Sequence, residues 1–169
     1  MHIKTERLII TRFTPDMAQS VHENSLDEDN RRFVPDEVFE TVEEAQETIE
    51  FLMSCYESGE GPLVYPALLH DGTVVGYVQA VPQVDGGYEI GYHIGGRYAK
   101  RGYASEAVAA FLPVIVQKLC IDGITGVCLA ENVASVKVME NCGFKKAYEG
   151  MGDYQGKRQM ICRYRWSRS

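Results

Sequence analysis

Three apolar segments rich in β-branched residues follow one another in the middle of the chain, and this run most constrains the fold. The segments are 63–70, 73–81 and 88–95, and they are separated by Asp71-Gly72 and Asp85-Gly86-Gly87. Asp-Gly is typical of the tight turns that join antiparallel neighbours. The sequence therefore predicts a meander of three strands at the centre of a sheet.

Two amphipathic helices are predicted on either side of this meander. The first begins at Thr41, which forms a capping box with Glu44, and ends at Gly59. The second is expected over 103–119, where Pro113 should kink it. Residues 27–40 are charged and lack a clear period, which indicates a loop with a helical turn.

The remaining segments complete one α/β domain around a mixed sheet. The predicted elements are a strand at 7–13, a helix that begins at Thr14 and Pro15, a strand at 124–130, a helix at 133–142 and a closing hairpin after Phe144. With 169 residues, the chain is expected to form a single domain, 1–169.

Composition excludes some classes of function. A net charge of −7 argues against non-specific nucleic-acid binding, although it suits a cationic partner or simply favours solubility. The five cysteines include no C-x-x-C pair, and the four histidines are scattered, so no metal site is expected. With no apolar run long enough to span a bilayer and no signal peptide, we expect a cytoplasmic protein with reduced thiols.

The segment RYAKRGYASEA (97–107) places three cations around one glycine at the start of a helix. Free N–H groups at a helix N-terminus, Gly102 and the side chains of Lys100 and Arg101 together suit a diphosphate. The same segment can equally be a solvated helix entrance. Neither the P-loop motif nor the dinucleotide G-x-G-x-x-G motif is present, so those two phosphate loops are excluded.

In its wider context this segment resembles a known family. YEIGYHIGGRYAKRGYASEAV (88–108) is similar to the coenzyme A motif of GNAT N-acetyltransferases, a strand followed by [Q/R]-x-x-G-x-[G/A], which Ala99, Gly102 and Ala104 match. Segments 5–18, 131–144 and 152–166 resemble the opening strand and helix, the Asn-x-x-Ser helix and the closing hairpin of the ribosomal-protein-alanine N-acetyltransferase branch.

The resemblance implies a GNAT-like fold and acetyl-CoA as co-substrate, with no metal. The fold has a mostly antiparallel sheet that is splayed at a bulge and flanked by helices, and the pantetheine arm pairs with the freed strand edge. The residues that match cofactor-binding positions are His93 and Ile94 through their backbone groups, Lys100, Arg101, Gly102, Tyr103, Ala104, Ser105, Asn132 and Ser135.

The resemblance also implies acetyl transfer to a primary amine, either a protein N-terminal α-amine or a small molecule. Glu89 matches a frequent family glutamate and is the candidate general base, with the His93 side chain as a lesser candidate. Many relatives assist the leaving thiolate with a tyrosine at the position of Met139, so that route is closed here. Ser135 matches the serine that the Asn-x-x-Ser branch is thought to use instead. Asn132 and Ser135 can also be simple helix caps, and Cys142 is interpreted as a packing residue.

Two departures from the family pattern keep a second hypothesis open. Ala99 replaces the usual Gln or Arg, and Lys100 stands where glycine is common. A module that binds coenzyme A without turnover is therefore the alternative, and a homodimer is left open. The acceptor is expected between residues 22–40 and 150–157. The acidic residues of the first segment are interpreted as a solvated loop rather than an acceptor site; they are Asp27, Glu28, Asp29, Asp36 and Glu37.

Overall fold

The computed structural model describes residues 1–169 and contains five α-helices and an eight-stranded sheet. The helices are α1 (Ala18–Ser25), α2 (Glu28–Phe33), α3 (Val42–Ser58), α4 (Tyr103–Lys118) and α5 (Val133–Asn141). The strands are β1 (Ile3–Lys4), β2 (Leu8–Ile10), β3 (Leu63–Leu69), β4 (Val74–Pro82), β5 (Tyr88–Ile94), β6 (Gly123–Leu129), β7 (Lys145–Tyr154) and β8 (Lys157–Ser167). None of the helices is both long and apolar enough to cross a bilayer.

The sheet has the strand order β1-β2-β3-β4-β5-β6-β8-β7, so the predicted mixed sheet is confirmed. All neighbouring strands are antiparallel except β5 and β6, which are parallel and share a single bridge, Glu89 to Thr125. The sheet therefore consists of two antiparallel parts that meet at one residue pair.

Helices cover both faces of the sheet. The larger core lies between the sheet and α4, where Phe111 and Ile115 are fully buried and Tyr65 packs against Phe111. The smaller core lies on the other face, where Ala45 and Ile49 of α3 pack with residues near α1. Burial of these apolar side chains is the main favourable contribution to folding.

The predicted helices and hairpins are present, with local differences. The Thr41 hydroxyl accepts from the Glu44 N–H as expected, but the Glu44 carboxylate accepts from Glu40 N rather than completing the box at Thr41. Helix α4 continues through Pro113, which lies on its exposed side.

Both turns of the central meander contain three residues. Leu69 N donates to Thr73 O, and Gln83 N donates to Gly87 O, so each loop ends in a glycine with positive φ, Gly72 or Gly86. A type I turn followed by a left-handed residue is a common three-residue hairpin loop, and only glycine adopts that backbone without strain.

The segment 27–40 is more ordered than its composition predicts. Helix α2 is capped by Asp27, whose carboxylate accepts from Asn30 N at 2.7 Å. The Asn30 side chain is 1% exposed and donates to the carbonyls of Ser25 and Glu37, which ties both ends of the segment together. This buried amide takes the place of an apolar stripe, which is why the hydrophobic period did not reveal the helix.

Candidate active site

A cleft of about 1500 Å³ opens where β5 and β6 diverge. The register between β4 and β5 is continuous from Tyr88 to Ile94, so the bulge expected at this splay is not found in that pair. Strands β5 and β6 separate instead beyond their single bridge at Glu89. The Met139 side chain from α5 packs over Gly126 of β6, next to Ile90 of β5. The expected splay is present.

The free edge of β5 is formed by alternate residues. Gly95 N donates to Val75 O and Gln83 N donates to Gly87 O, so the odd-numbered residues of β5 direct their backbone groups to β4. The even-numbered residues Tyr92 and Ile94 then direct theirs into the cleft. Of the two residues expected to contribute backbone groups here, Ile94 does so, whereas the backbone of His93 belongs to the β4 ladder.

The N-terminus of α4 lines the cleft, and no side chain caps it. The first backbone N–H of α4 with a hydrogen bond inside the helix is that of Glu106, which donates to Gly102 O at 3.1 Å. The N–H groups of Tyr103, Ala104 and Ser105 therefore have no partner within the helix, and the positive end of the helix dipole faces the same place. By contrast, α2, α3 and α5 are capped by Asp27, Thr41 and Asn132.

Arg7 holds this uncapped turn in place. Its guanidinium donates to Arg101 O at 2.7 Å, pairs with the Glu106 carboxylate at 2.6 Å and lies 4.6 Å from the centre of the Tyr103 ring. Glu106 also accepts from the Thr5 hydroxyl at 2.7 Å. Partial burial raises the pKa of Glu106, but the bonds from Thr5 and Arg7 outweigh it and hold that pKa below its usual value.

The two predicted diphosphate cations are placed differently. Lys100 lines the cleft and has a positive φ of 61°, the conformation that a glycine would adopt more easily. Arg101 does not line the cleft, and its guanidinium lies 3.4 Å from the carbonyl of Arg97. The structure thus brings all predicted cofactor-binding residues to the cleft except Arg101.

Helix α5 presents its first turn to the cleft. The Asn132 side-chain oxygen accepts from Ser135 N at 3.2 Å, so the cap role is present, while the Asn132 amide nitrogen has no protein partner. The Ser135 hydroxyl lies 2.8 Å from the hydroxyl of Tyr92, which reaches it from β5. The cap and a ligand contact are therefore compatible at Asn132.

Glu89 lies at the vertex of the cleft, at the one bridge between β5 and β6. Burial raises the pKa of its carboxyl group, and the positive charge of Arg163 on β8 opposes that rise. A half-buried carboxylate with a raised pKa is suited to accept a proton near neutral pH.

The His93 side chain is engaged elsewhere. Its Nε2 lies 3.1 Å from the Asp27 carboxylate and 3.2 Å from Asn24 O, and it is 13% exposed. Burial raises the pKa of Asp27, but the bonds from His93 and from the backbone of Asn30 and Gly96 outweigh it, so that the pKa is lowered. These contacts join β5 to the segment before α2.

Glu37 is the second carboxyl group in the cleft. It accepts from the Gln79 amide at 3.0 Å, and the Gln79 side chain crosses Gly91, where a Cβ would collide with it. Burial raises the pKa of Glu37, although the bond from Gln79 and the charge of His93 partly offset that.

The expectation of a solvated acidic loop therefore fails in part. Asp27 and Glu37 are partly buried and bonded, whereas Glu28, Asp29 and Asp36 are exposed.

The tip of the β7–β8 hairpin closes this side of the cleft. The Tyr154 hydroxyl donates to Phe33 O at 3.0 Å, and the Gln155 amide lies 3.3 Å from the same oxygen. Burial raises the pKa of Tyr154 to about 12, and the charges of Glu89 and Glu37 add to the shift. The hydroxyl therefore stays protonated and keeps its role as a donor.

Cys142 fits its interpretation as a packing residue. Its thiol lies 3.4 Å from Ser105 O, between α5 and α4, and burial raises its pKa to about 11. A thiol that stays protonated at neutral pH is a poor nucleophile.

The sequence analysis did not single out Arg7, Gln79, Tyr92, Tyr154 or Arg163, and it interpreted Glu37 as part of a solvated loop. Of these, Tyr92 could have been predicted, because it lies two residues before Ile94 on the predicted strand. Strand alternation then directs the backbone groups of both residues to the same edge. Glu37, Gln79, Tyr154 and Arg163 reach the cleft from distant parts of the chain. Arg7 does not line it and supports the N-terminus of α4 from outside.

Comparison with known proteins identifies the family. Residues 7–145 match the acetyltransferase (GNAT) domain. An uncharacterized N-acetyltransferase of Bacillus subtilis, YnaD, is 30% identical over 148 residues, which cover 86% of this chain and 84% of that protein. The crystal structure of a GNAT-family acetyltransferase from Bacillus anthracis is 27% identical, with a TM-score of 0.83 over 99% of this chain and 98% of that one.

A more distant structure shows the same fold with a ligand. The ribosomal L7/L12 alpha-N-protein acetyltransferase RimL, in complex with coenzyme A, has a TM-score of 0.83 and 15% identity, covering 99% of this chain and 98% of that one. The chain belongs to the GNAT acetyltransferase family. It is an N-acetyltransferase, as the resemblance implied.

Proposed function

We propose that residues 1–169 form a single cytoplasmic N-acetyltransferase domain that transfers an acetyl group to a cationic primary amine, either a protein N-terminal α-amine or a small-molecule amine. The observation that carries this proposal is the half-buried Glu89 at the vertex of the cleft. The uncapped N-terminus of α4 lies at one end of that cleft and the buried carboxyl group of Glu37 at the other.

The residues of the cleft fit acetyl-CoA. The free N–H groups of Tyr103, Ala104 and Ser105, with the Lys100 ammonium, suit the diphosphate. The backbone groups of Tyr92 and Ile94 suit the amides of the pantetheine arm, which would pair with β5 as an additional strand. One of their N–H groups can also stabilise the oxyanion that develops on the thioester carbonyl.

Glu89 prepares the acceptor for attack. An alkylamine with a pKa of roughly 8 to 10 is mostly protonated at neutral pH and has no free electron pair. The Glu89 carboxylate takes one proton from the ammonium group, directly or through water, and the freed nitrogen then attacks the thioester carbon. The carboxyl group of Glu37 favours a cationic acceptor on the same face of β5.

Ser135 assists departure of the thiolate. When the carbon–sulfur bond breaks, the sulfur keeps the electron pair, and the Ser135 hydroxyl is placed to donate a hydrogen bond to it. The nitrogen loses its second proton as the amide forms, and this proton balances the one that the sulfur gains. In this proposal Asn132 binds the pantetheine arm through its amide nitrogen, which has no protein partner.

The test is the Glu89→Gln variant, assayed with acetyl-CoA against a panel of amines and N-terminal peptides. We expect kcat/KM to fall by roughly 10²–10⁴-fold, because proton transfer is lost, while the Kd for coenzyme A stays unchanged. Glu47→Gln, on the exposed face of α3, is the matched control and should behave as the wild type. An unchanged rate for Glu89→Gln would remove Glu89 as the base.

A further inference from the structure

The Tyr92 hydroxyl lies against the first turn of α5. Its single proton can be donated to Ser135 Oγ, at 2.8 Å, or to the Ser135 carbonyl oxygen, at 3.1 Å, and the shorter of the two contacts is the one with Oγ. Tyr92 is on the part of β5 that has left β6, and its ring packs against the larger core. The only side-chain hydroxyl within bonding distance of Ser135 is therefore this phenol.

The phenol keeps its proton. Burial raises the pKa of Tyr92 far above its usual value, and the bond with Ser135 offsets this only in part. Since a tyrosinate does not form here at any pH at which an amine acetyltransferase works, Tyr92 acts as a hydrogen-bond donor throughout the reaction.

The Ser135 hydroxyl has one proton and must direct it to one partner. Its oxygen can accept from Tyr92, and its backbone N–H is already bonded to Asn132. The Cys128 thiol also lies within reach of Ser135, but burial raises its pKa to about 11, so it does not attract the proton as a thiolate would. When Tyr92 donates to Ser135 Oγ, the serine proton is free to turn into the cleft.

We propose that Tyr92 is a positioning residue for acyl transfer, whose hydroxyl donates to Ser135 Oγ and so directs the Ser135 proton to the departing sulfur. This inference rests on the role proposed above for Ser135. No proton leaves Tyr92: the carbon–sulfur bond breaks, the sulfur takes the electron pair and the hydrogen bond of Ser135, and its final proton comes from the attacking nitrogen.

The position of the phenol also resolves a departure from the family pattern. Met139 replaces the tyrosine that many relatives have on this helix, and its buried side chain packs over Gly126. No phenol can enter the cleft from that position. Tyr92 brings one to the serine from the strand on the other side of the cleft.

A double-mutant cycle tests the proposal. The variants are Tyr92→Phe, Ser135→Ala and the double variant, compared by their single-turnover acetyl-transfer rate with the best amine of the panel. We expect Tyr92→Phe to slow acetyl transfer about tenfold, the loss typical of one hydrogen bond, with an unchanged Kd for coenzyme A. The double variant should be no slower than Ser135→Ala alone, because Tyr92 acts only through the serine.

The matched control is Tyr88→Phe, which removes a hydroxyl from the same strand that makes no hydrogen bond, and its rate should equal that of the wild type. The proposal is overturned if the two single effects multiply, or if Tyr92→Phe lowers the melting temperature but not the rate. If Ser135→Ala itself has the wild-type rate, the serine role in the proposed function is what fails. If Ser135→Ala is slow and Tyr92→Phe is not, only the inference about Tyr92 fails.

Discussion

At the scale of single residues, the positive charge of Arg163 opposes the effect of burial on the pKa of Glu89. Burial raises the pKa of Glu89 and Arg163 lowers it. Removing the guanidinium leaves burial unopposed, so the pKa should rise further and less of the carboxylate should be available at acidic pH. For Arg163→Gln we expect the acidic limb of the kcat/KM profile to move to higher pH, by up to about one pH unit at low salt.

The control for this experiment is Arg158→Gln, which removes another exposed cation, one that pairs with Asp153 at the hairpin tip. Its pH profile should match that of the wild type. A limb that stays in place, or moves to lower pH in Arg163→Gln, contradicts the assignment of Glu89 as the titrating base.

Lys100 combines a useful charge with a strained backbone. A side chain at a φ of 61° costs about 1 kcal/mol or more relative to glycine. Lys100→Gly and Lys100→Ala both remove the ammonium, and only the first relieves the strain. We expect both variants to weaken coenzyme A binding several-fold in calorimetry. The free energy of unfolding in urea should be about 1 kcal/mol higher for Lys100→Gly than for Lys100→Ala. Equal stability of the two variants would contradict the strain.

Residue roles could be predicted from the sequence where a local motif carries them. Gly102 to Ser105, Asn132 and Ser135 could be predicted, because helix starts have a local sequence pattern. All of them lie in the cleft. The position of Glu37 in the cleft could not be predicted, because it depends on the bond from Gln79, 42 positions away, and on the Gln79 side chain crossing Gly91. The acidic residues of its segment allowed either attraction of a cationic amine or a solvated loop, and the solvated loop was preferred.

At the scale of elements, the close approach of β4 to the end of β5 positions the free edge. Gly76 is paired with Ile94, and a Cβ at Gly76 would collide with the carbonyl oxygen of His93, which is backbone and cannot turn aside. Gly76→Ala should therefore displace the end of β5, with a loss of about 1–3 kcal/mol or more in urea unfolding. It should also weaken coenzyme A binding.

Gly87→Ala is the matched control for this prediction, because nothing lies within 4 Å of a Cβ there. Its stability should stay close to that of the wild type. If Gly76→Ala is as stable as Gly87→Ala, the two strands are not held as closely as described.

Elements with a hydrophobic period could be predicted, and those without one could not. The face of α3 with Ala45, Ile49 and Leu52 was predicted and is buried. Helix α2 has no such face, and its one buried residue is the polar Asn30. The first meander loop was predicted one residue too short, because the Asp-Gly pair also suits the three-residue loop that forms. The second was predicted with three residues, but one position too far along the chain.

At the scale of the whole molecule, the acceptor side is closed by two segments far apart in the chain. The bond from the Tyr154 hydroxyl to Phe33 O joins residues 121 positions apart. Tyr154→Phe removes this bond, while Gln155 still contacts the same oxygen. We expect the KM for the amine to rise by roughly fivefold, the effect of about 1 kcal/mol, with the KM for acetyl-CoA unchanged.

Tyr148→Phe removes a hydroxyl of the same hairpin that bonds to Met151 O, away from α2, and serves as the control. Steady-state kinetics with each substrate varied in turn gives both constants. An equal rise in both KM values for Tyr154→Phe would contradict a role confined to the acceptor side.

The order of strands and helices was predictable, but their closest approach across the molecule was not. The central meander, the following helix and the closing hairpin follow from local patterns and are confirmed. The exact point where β5 and β6 touch is one residue pair, and nothing in the local sequence of Glu89 or Thr125 marks it.

That single pair has a mechanical consequence. With one bridge between β5 and β6, backbone hydrogen bonding is not continuous across the sheet, and helix packing, including the contact of α5 with α4 at Cys142 and Ser105, also joins the two half-sheets. A ligand that pairs with the free edge of β5 and contacts α5 would join the two half-sheets into one body. Binding of coenzyme A should therefore stiffen the enzyme, and hydrogen exchange on both half-sheets should slow together when coenzyme A is added.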